Sequence, residues 1–276
     1  MSPPSPTPSG ASLIQSAGIE TGTLFLVTLA AAAGGAVNAI AGGGTLVTFP
    51  ALVALGVPPI VANATSTVAL WPGALGSMWG YRTELAGVRA WAVRFALPSL
   101  AGGLAGALLL LRTPDDRFDA IVPFLVLGAT LLFLAQRPVM AALRQRMSSS
   151  AAIVTDPATR APGAALLLFQ FGVAIYGGYF GAGIGILMLA ALGFMGFTNI
   201  HRMNGLKNWG GLCINVVAAV TFALRGIVDW PVAIAMAVGA TLGGYGGSRL
   251  AQRVPQEWVR RAVIVIGFVA AGWLAL

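Results

Sequence analysis

The sequence predicts an all-α, polytopic membrane fold. We expect about ten transmembrane or half helices in a five-plus-five inverted repeat, with two glycine-broken hairpins meeting near the bilayer midplane. Three observations carry that expectation. The 276-residue chain is 57% hydrophobic and 9% charged, with a mean hydropathy of +0.85, whereas soluble domains carry about 25% charged residues. Apolar segments follow one another from residue 20 to the end of the chain. Glycine-rich breaks interrupt them twice, at Gly42-Gly43-Gly44 and at Gly181-Ala182-Gly183, and a short apolar piece follows each break.

Taken in order, residues 1–18 are rich in Pro, Ser and Thr, carry no Lys or Arg, and read as a flexible tail. They lack the basic start of a signal peptide. The first membrane repeat is assigned to 19–136, with apolar segments at 20–41, 45–56, 60–81, 90–111 and 118–135. A polar linker, cytoplasmic in this reading, covers 137–161. The second, inverted repeat covers 162–276, with segments at 162–180, 184–195, 203–224, 230–250 and 258–276. A span needs about 20 apolar residues, and about 10–14 suits a re-entrant half-helix. Segments 45–56 and 184–195 are therefore the half-helices.

Five landmarks recur in the same order in both halves. The two breaks align, as do Ala54-Leu55-Gly56 with Ala191-Leu192-Gly193 and Gly87…Trp91 with Gly226…Trp230. Gly102-Gly103-x-x-Gly106 then aligns with Gly243-Gly244-x-x-Gly247, and Arg112-x-Pro114 with Arg253-x-Pro255. Five passes per half is an odd number, so the second half is expected to be inverted. If the linker is cytoplasmic, its side of the membrane collects all of the 16 Lys and Arg except Arg112, Arg117 and Arg225. That places the chain as a multi-pass protein of a bacterial-type inner (cell) membrane, with both termini outside.

Several function classes drop out. The net charge of +8 is scattered between apolar segments, so nucleic acid is not an expected partner. Cys213 is the only cysteine and His201 the only histidine, so no metal cluster or cofactor site is expected. No acidic pair lies in the spans to act as a catalytic base, and no Walker loop is present, so the chain is not read as an enzyme. The expected partners are a small anionic substrate and membrane lipids, and the sequence admits a homodimer.

The breaks suggest how an anion would be held. Three consecutive glycines end a helix, since each costs about 1 kcal/mol against Ala. Broken backbone is tolerated in a membrane only where protein or a wet cavity satisfies it. A half-helix starting at Gly43, Gly44 or Thr45, and another at Gly183, would aim free N–H groups and the positive dipole end at the break. Asn38, Tyr176 and Tyr179 flank the breaks as donors; Asn63, Thr65 and Ser66 lie on the next helix of the first half, and Asn204, Lys207 and Asn208 on that of the second. Lys207 would lie about 10 Å into a helix beginning at Ile200, where an ammonium costs about 2.5–3.5 kcal/mol unless paired or wet. The substrate anion is one partner for it; snorkelling to the cytoplasmic surface is the alternative. Trp209 neighbours Lys207 as a pocket wall. His201, with an unperturbed pKa of about 6.5, suits proton coupling or, with Arg202, the entrance.

The run Asn38-Ala39-Ile40-Ala41-Gly42-Gly43-Gly44, then Pro50, then Gly56-x-x-Pro59-x-x-Ala62-x-Ala64-Thr65-Ser66, resembles the first-half signature of the TauE/SafE family. Gly181-Ala182-Gly183 and the Lys207-Asn208 helix fit its second half, and the resemblance covers 24–276. It implies a secondary transporter that exports sulfite or an organosulfonate such as sulfoacetate by alternating access. A permease for another small anion, or a non-transporting membrane scaffold, would be built on the same bundle.

Overall fold

A computed structural model describes residues 21–40, 43–80, 82–86, 88–149, 162–194, 197, 199–250 and 256–276. The tail 1–18, Gly42, Gly87, the end of the linker (150–161), and Arg253 and Pro255 lie outside the described residues, as do the side chains of His201 and Gly247. All regular structure among the described residues is helical: α1 (Thr21–Ile40), α2 (Thr45–Ala54), α3 (Pro59–Gly80), α4 (Arg82–Ala86), α5 (Arg89–Arg112), α6 (Asp115–Ser149), α7 (Ala164–Tyr179), α8 (Ile184–Phe194), α9 (Ile200–Leu224), α10 (Trp230–Leu250) and α11 (Gln256–Leu274).

The boundaries follow local chemistry. Gly56 closes α2 at φ 83°, with its own N–H on the Val53 carbonyl and that of Val57 on Leu52, the left-handed closure that glycine permits. Pro59 then opens α3 at its first position, where its missing N–H costs nothing. Asn199 caps α9, accepting the Arg202 N–H at 3.2 Å, and Asp229 caps α10, accepting the Val232 N–H at 3.2 Å.

The structure adds detail at two of these places. α6 runs on through Pro138 to Ser149, so residues 137–149 of the polar linker are helical. Its residues after Pro138 are mostly good helix formers (Met, Ala, Leu, Arg, Gln), so polarity marks the end of the apolar stretch and not of the helix. Gly193 lies inside α8, unlike Gly56 with its left-handed φ, so that pair shares sequence and not conformation.

The outside of the bundle is apolar and the inside holds the polar groups. Phe124, Leu168 and Leu97 are 72%, 71% and 69% exposed, while Thr48, Asn63, Thr65, Ser66, Ser99, Thr130 and Gln170 are buried. A protein in water avoids such a surface; one in lipid requires it. Among the described residues, Arg89–Arg112, Asp115–Val139 and Arg202–Leu224 are long and apolar enough to cross a membrane alone.

Helix contacts exchange between the halves. α1 packs on α10 as α7 packs on α5, α2 meets α11 as α8 meets α6, and α3 and α6 meet their own counterparts α9 and α11. Glycines set the closest approaches. Gly239 lies against the Thr28 carbonyl, Gly243 against Ala32 and Gly35 against Ala240. In the other pair Gly102 lies against the Phe171 carbonyl, Gly106 against Ile175 and Gly178 against Gly103. Contacts advance together along both helices, so each pair runs parallel. In these contacts Gly102 and Gly106 occupy on α5 the places that Gly239 and Gly243 occupy on α10.

Candidate anion site

Both breaks pack against one stretch of α6. Gly43 lies against the Phe133 ring, and Gly183 against Leu132 and the Ala129 carbonyl. Phe180, in the second break, stacks edge-on upon Phe49 of α2 with ring centroids 5.3 Å apart. The two breaks nevertheless differ in construction.

The second is an open kink. The N–H groups of Phe180 and Gly181 both turn back onto the Tyr176 carbonyl, at 2.9 and 3.2 Å. Gly181 and Gly183 then adopt φ 84° and 82°, which L side chains rarely accept. The Tyr176 hydroxyl donates to the Ala182 carbonyl at 2.8 Å and ties the kink to α7. The Ile186 N–H bonds to the Gly183 carbonyl, so the amides of Ile184 and Gly185 form the amide tip of α8, with Ile184 buried and Gly185 half-buried.

Lys207 lies across that tip. A Cβ on Gly185 would meet the Lys207 Cδ at 3.1 Å, Cγ at 3.6 Å and Cε at 3.8 Å. The half-buried stem thus runs over the first turn of α8, and only glycine leaves it room. No acidic residue occurs on α7, α8 or α9. A positive side chain and a positive helix end converge with no carboxylate on the helices that build the site. Two like-signed features brought together attract an anion.

The first break is closed by packing. Gly44 keeps helical φ, and a Cβ on it would sit 2.6 Å from the Gly34 carbonyl oxygen. The N–H groups of Leu46, Val47 and Thr48 are bonded to the carbonyls of Gly43 and Gly44. Buried Thr48 bonds the Gly44 carbonyl at 3.2 Å and shares a 2.7 Å hydrogen bond with Ser66. Gly43 is buried and Thr45 half-buried, which leaves the amides of Gly44 and Thr45 as this tip. Asn38 is exposed on the last turn of α1.

Other predicted site residues are engaged elsewhere. The Trp209 indole donates to the Ala92 carbonyl at 2.8 Å and pins α9 to α5. Thr65 accepts the Asp229 N–H at 3.1 Å and holds the turn before α10. The Tyr179 hydroxyl lies 3.3 Å from that of Thr113 and its ring packs on Phe118, away from the kink. Asn63 is 1% exposed and donates through Nδ2 to the Tyr179 carbonyl at 2.9 Å. Asn204 and Asn208 are half-buried on α9, near Lys207 in sequence. Arg202 is half-buried in the first turn of α9. Sequence reasoning missed Thr48 and Phe180. Thr48 carried a readable signal, being a polar residue one turn into a short apolar helix, whereas the Phe49–Phe180 contact had none.

The family model described as "Sulfite exporter TauE/SafE" matches residues 27–274. Among curated proteins, the chain is 30% identical to "Probable membrane transporter protein YfcA" of Escherichia coli K12, over 92% of the chain and 88% of that protein. It is 29% identical to "Probable membrane transporter protein ORF9" of Sinorhizobium sp over 90% of each, and 28% identical to a "Probable membrane transporter protein" of Haemophilus influenzae over 84% and 87%. No solved structure matches.

Proposed function

Because the chain belongs to the sulfite exporter TauE/SafE family and is a membrane transporter, we propose that it exports a small sulfur oxyanion, sulfite or an organosulfonate such as sulfoacetate. The single observation that supports an anion is Lys207 lying across the glycine at the tip of α8. An oxyanion at that tip would accept hydrogen bonds from the Ile184 and Gly185 amides and pair with the Lys207 ammonium. Gly185 lets it approach the backbone. The first half of α9 is anchored by Trp209 on α5, so the ammonium is presented from a fixed helix.

The exchange of contacts between the halves supports alternating access. α9 advances along α5 from Trp209 at Ala92 to Ile214 at Gly103, and we read α10, which follows after the turn at 225–229, as returning antiparallel to α9. Since α1 runs with α10, and α7 with α5, the halves are inverted in this reading. Rocking one against the other about α6 would expose the tips to either side. We place the protein in the inner membrane with both termini outside and the linker in the cytoplasm, on the charge distribution described above.

The test is flux of radiolabelled sulfite or sulfoacetate in proteoliposomes, comparing the natural chain with Lys207→Met. Methionine keeps the stem and removes the charge. We expect at least tenfold lower flux with an unchanged melting temperature; full flux in the variant would remove this site.

A further inference from the structure

We propose that the buried amide of Asn63, at the carbonyl end of α7, is a binding site for a monovalent metal cation, sodium by preference, that is carried with the anion. The inference rests on the kink between α7 and α8 being the transport site, and it assigns Asn63 a role opposite in sign to the donor expected from sequence. Asn63 is 1% exposed, and its Nδ2 donates to the Tyr179 carbonyl at 2.9 Å. That bond fixes the amide, because exchanging its oxygen and nitrogen would press two acceptors together. Its Oδ1 is buried without a hydrogen-bond partner among the described residues, and buried acceptors of this kind are rare.

An unfilled acceptor calls for a cation or a donor hydrogen. Its place favours the cation. Tyr179 is the last residue of α7, so Oδ1 stands beside the end of a helix whose terminal carbonyls carry partial negative charge. The four residues of the kink therefore separate two ends of opposite sign: the carbonyl end of α7 with Asn63, and the amide end of α8 with Lys207. A chain of six residues joins Tyr179 to Gly185, a span of at most about 22 Å. Discontinuous helices use this arrangement to seat an ion and an anion side by side. The donor set also selects the ion. An amide does not titrate, which excludes a proton held on Asn63. Neutral oxygens without a carboxylate suit a monovalent ion, whereas calcium and magnesium sites are built on carboxylates.

Equilibrium binding of ²²Na⁺ to the detergent-purified full chain, competed with unlabelled sodium gluconate against choline gluconate, tests this without any sulfur anion. We expect saturable binding displaced by sodium and not by choline, a higher melting temperature in sodium than in choline at equal ionic strength, and at least tenfold weaker sodium affinity in Asn63→Leu. Absence of saturable binding by the natural chain, a readout that needs no variant, overturns the proposal, as does undiminished binding in a folded Asn63→Leu. Sodium-independent anion flux from a chain that binds no sodium would overturn this inference and leave the exporter reading standing. Saturable sodium binding lost in Asn63→Leu, with no anion flux, would leave the cation site standing and overturn both the exporter reading and the joint passage of the two ions.

Discussion

Gly185→Ala separates a transport site from a packing contact. The added methyl would stand 3.1 Å from the Lys207 Cδ, where ordinary contact begins at 3.4 Å, so something must move by a few tenths of an ångström. What moves is a flexible lysine stem, not backbone. Alanine also exceeds glycine in helix propensity by about 1 kcal/mol, which offsets the displacement. Stability should therefore hold within about 1 kcal/mol of the natural protein. Transport should not hold, because the methyl covers the amide tip and tilts the ammonium away from it. Loss of one good charge-assisted contact, about 1.4 kcal/mol, is a tenfold rise in the KM for sulfite. The assay pairs proteoliposome flux across a sulfite series with thermal unfolding of the same preparation. An unchanged KM in a stable Gly185→Ala protein would refute the reading of Lys207 and α8 as one site.

Further expectations follow from the same geometry. Gly178→Ala drives a methyl into the Gly103 carbonyl of α5, backbone against backbone, and should cost at least about 3 kcal/mol; Gly172→Ala on the same helix meets nothing within 4 Å and should be neutral or better, both read by melting temperature and monodispersity. Trp209→Phe removes the bond to Ala92 and should lower stability by about 1 kcal/mol while leaving the sulfite KM unchanged; a raised KM would return Trp209 to the pocket. Tyr176→Phe releases the Ala182 carbonyl, so amide exchange across 181–186 should quicken by about fivefold, the equivalent of about 1 kcal/mol, as measured by hydrogen–deuterium exchange.

Helix order was legible because Gly and Pro punctuate this chain, and the ends of α3, α5, α9 and α10 fall within a few residues of the apolar segments. Which glycines make the closest approaches was not. Small residues recur every four positions on α10, at Gly239, Gly243 and Gly247, and only the carbonyl contacts say which of them meet α1. The depth of Lys207 was readable, but its seat on Gly185 is a contact between α9 and α8 that no local pattern encodes. Trp209 lies two positions on from Lys207, a turn of about 200° along a helix, and its indole reaches Ala92 of α5. The amide of Asn63 was read as a donor from residue type; its partner, a carbonyl far along the chain, decides which of its atoms remains unfilled.

The halves share a fold and divide the chemistry. Gly44 under Gly34, and Thr48 bound to Ser66, fill the first break with its own packing. The second break has two left-handed glycines, a tyrosine strap and the one lysine of the chain. Both rest on the same stretch of α6, from Ala129 to Phe133, so the packed break braces that stretch while the open one carries charge. A charge on both breaks would put two ammonium groups beside one small anion, and the substrate would neutralise only one of them. With Lys207 alone, a monoanion balances the one ammonium of the proposed site. In the proposed transporter the packed break is the brace and the second break the seat of the anion.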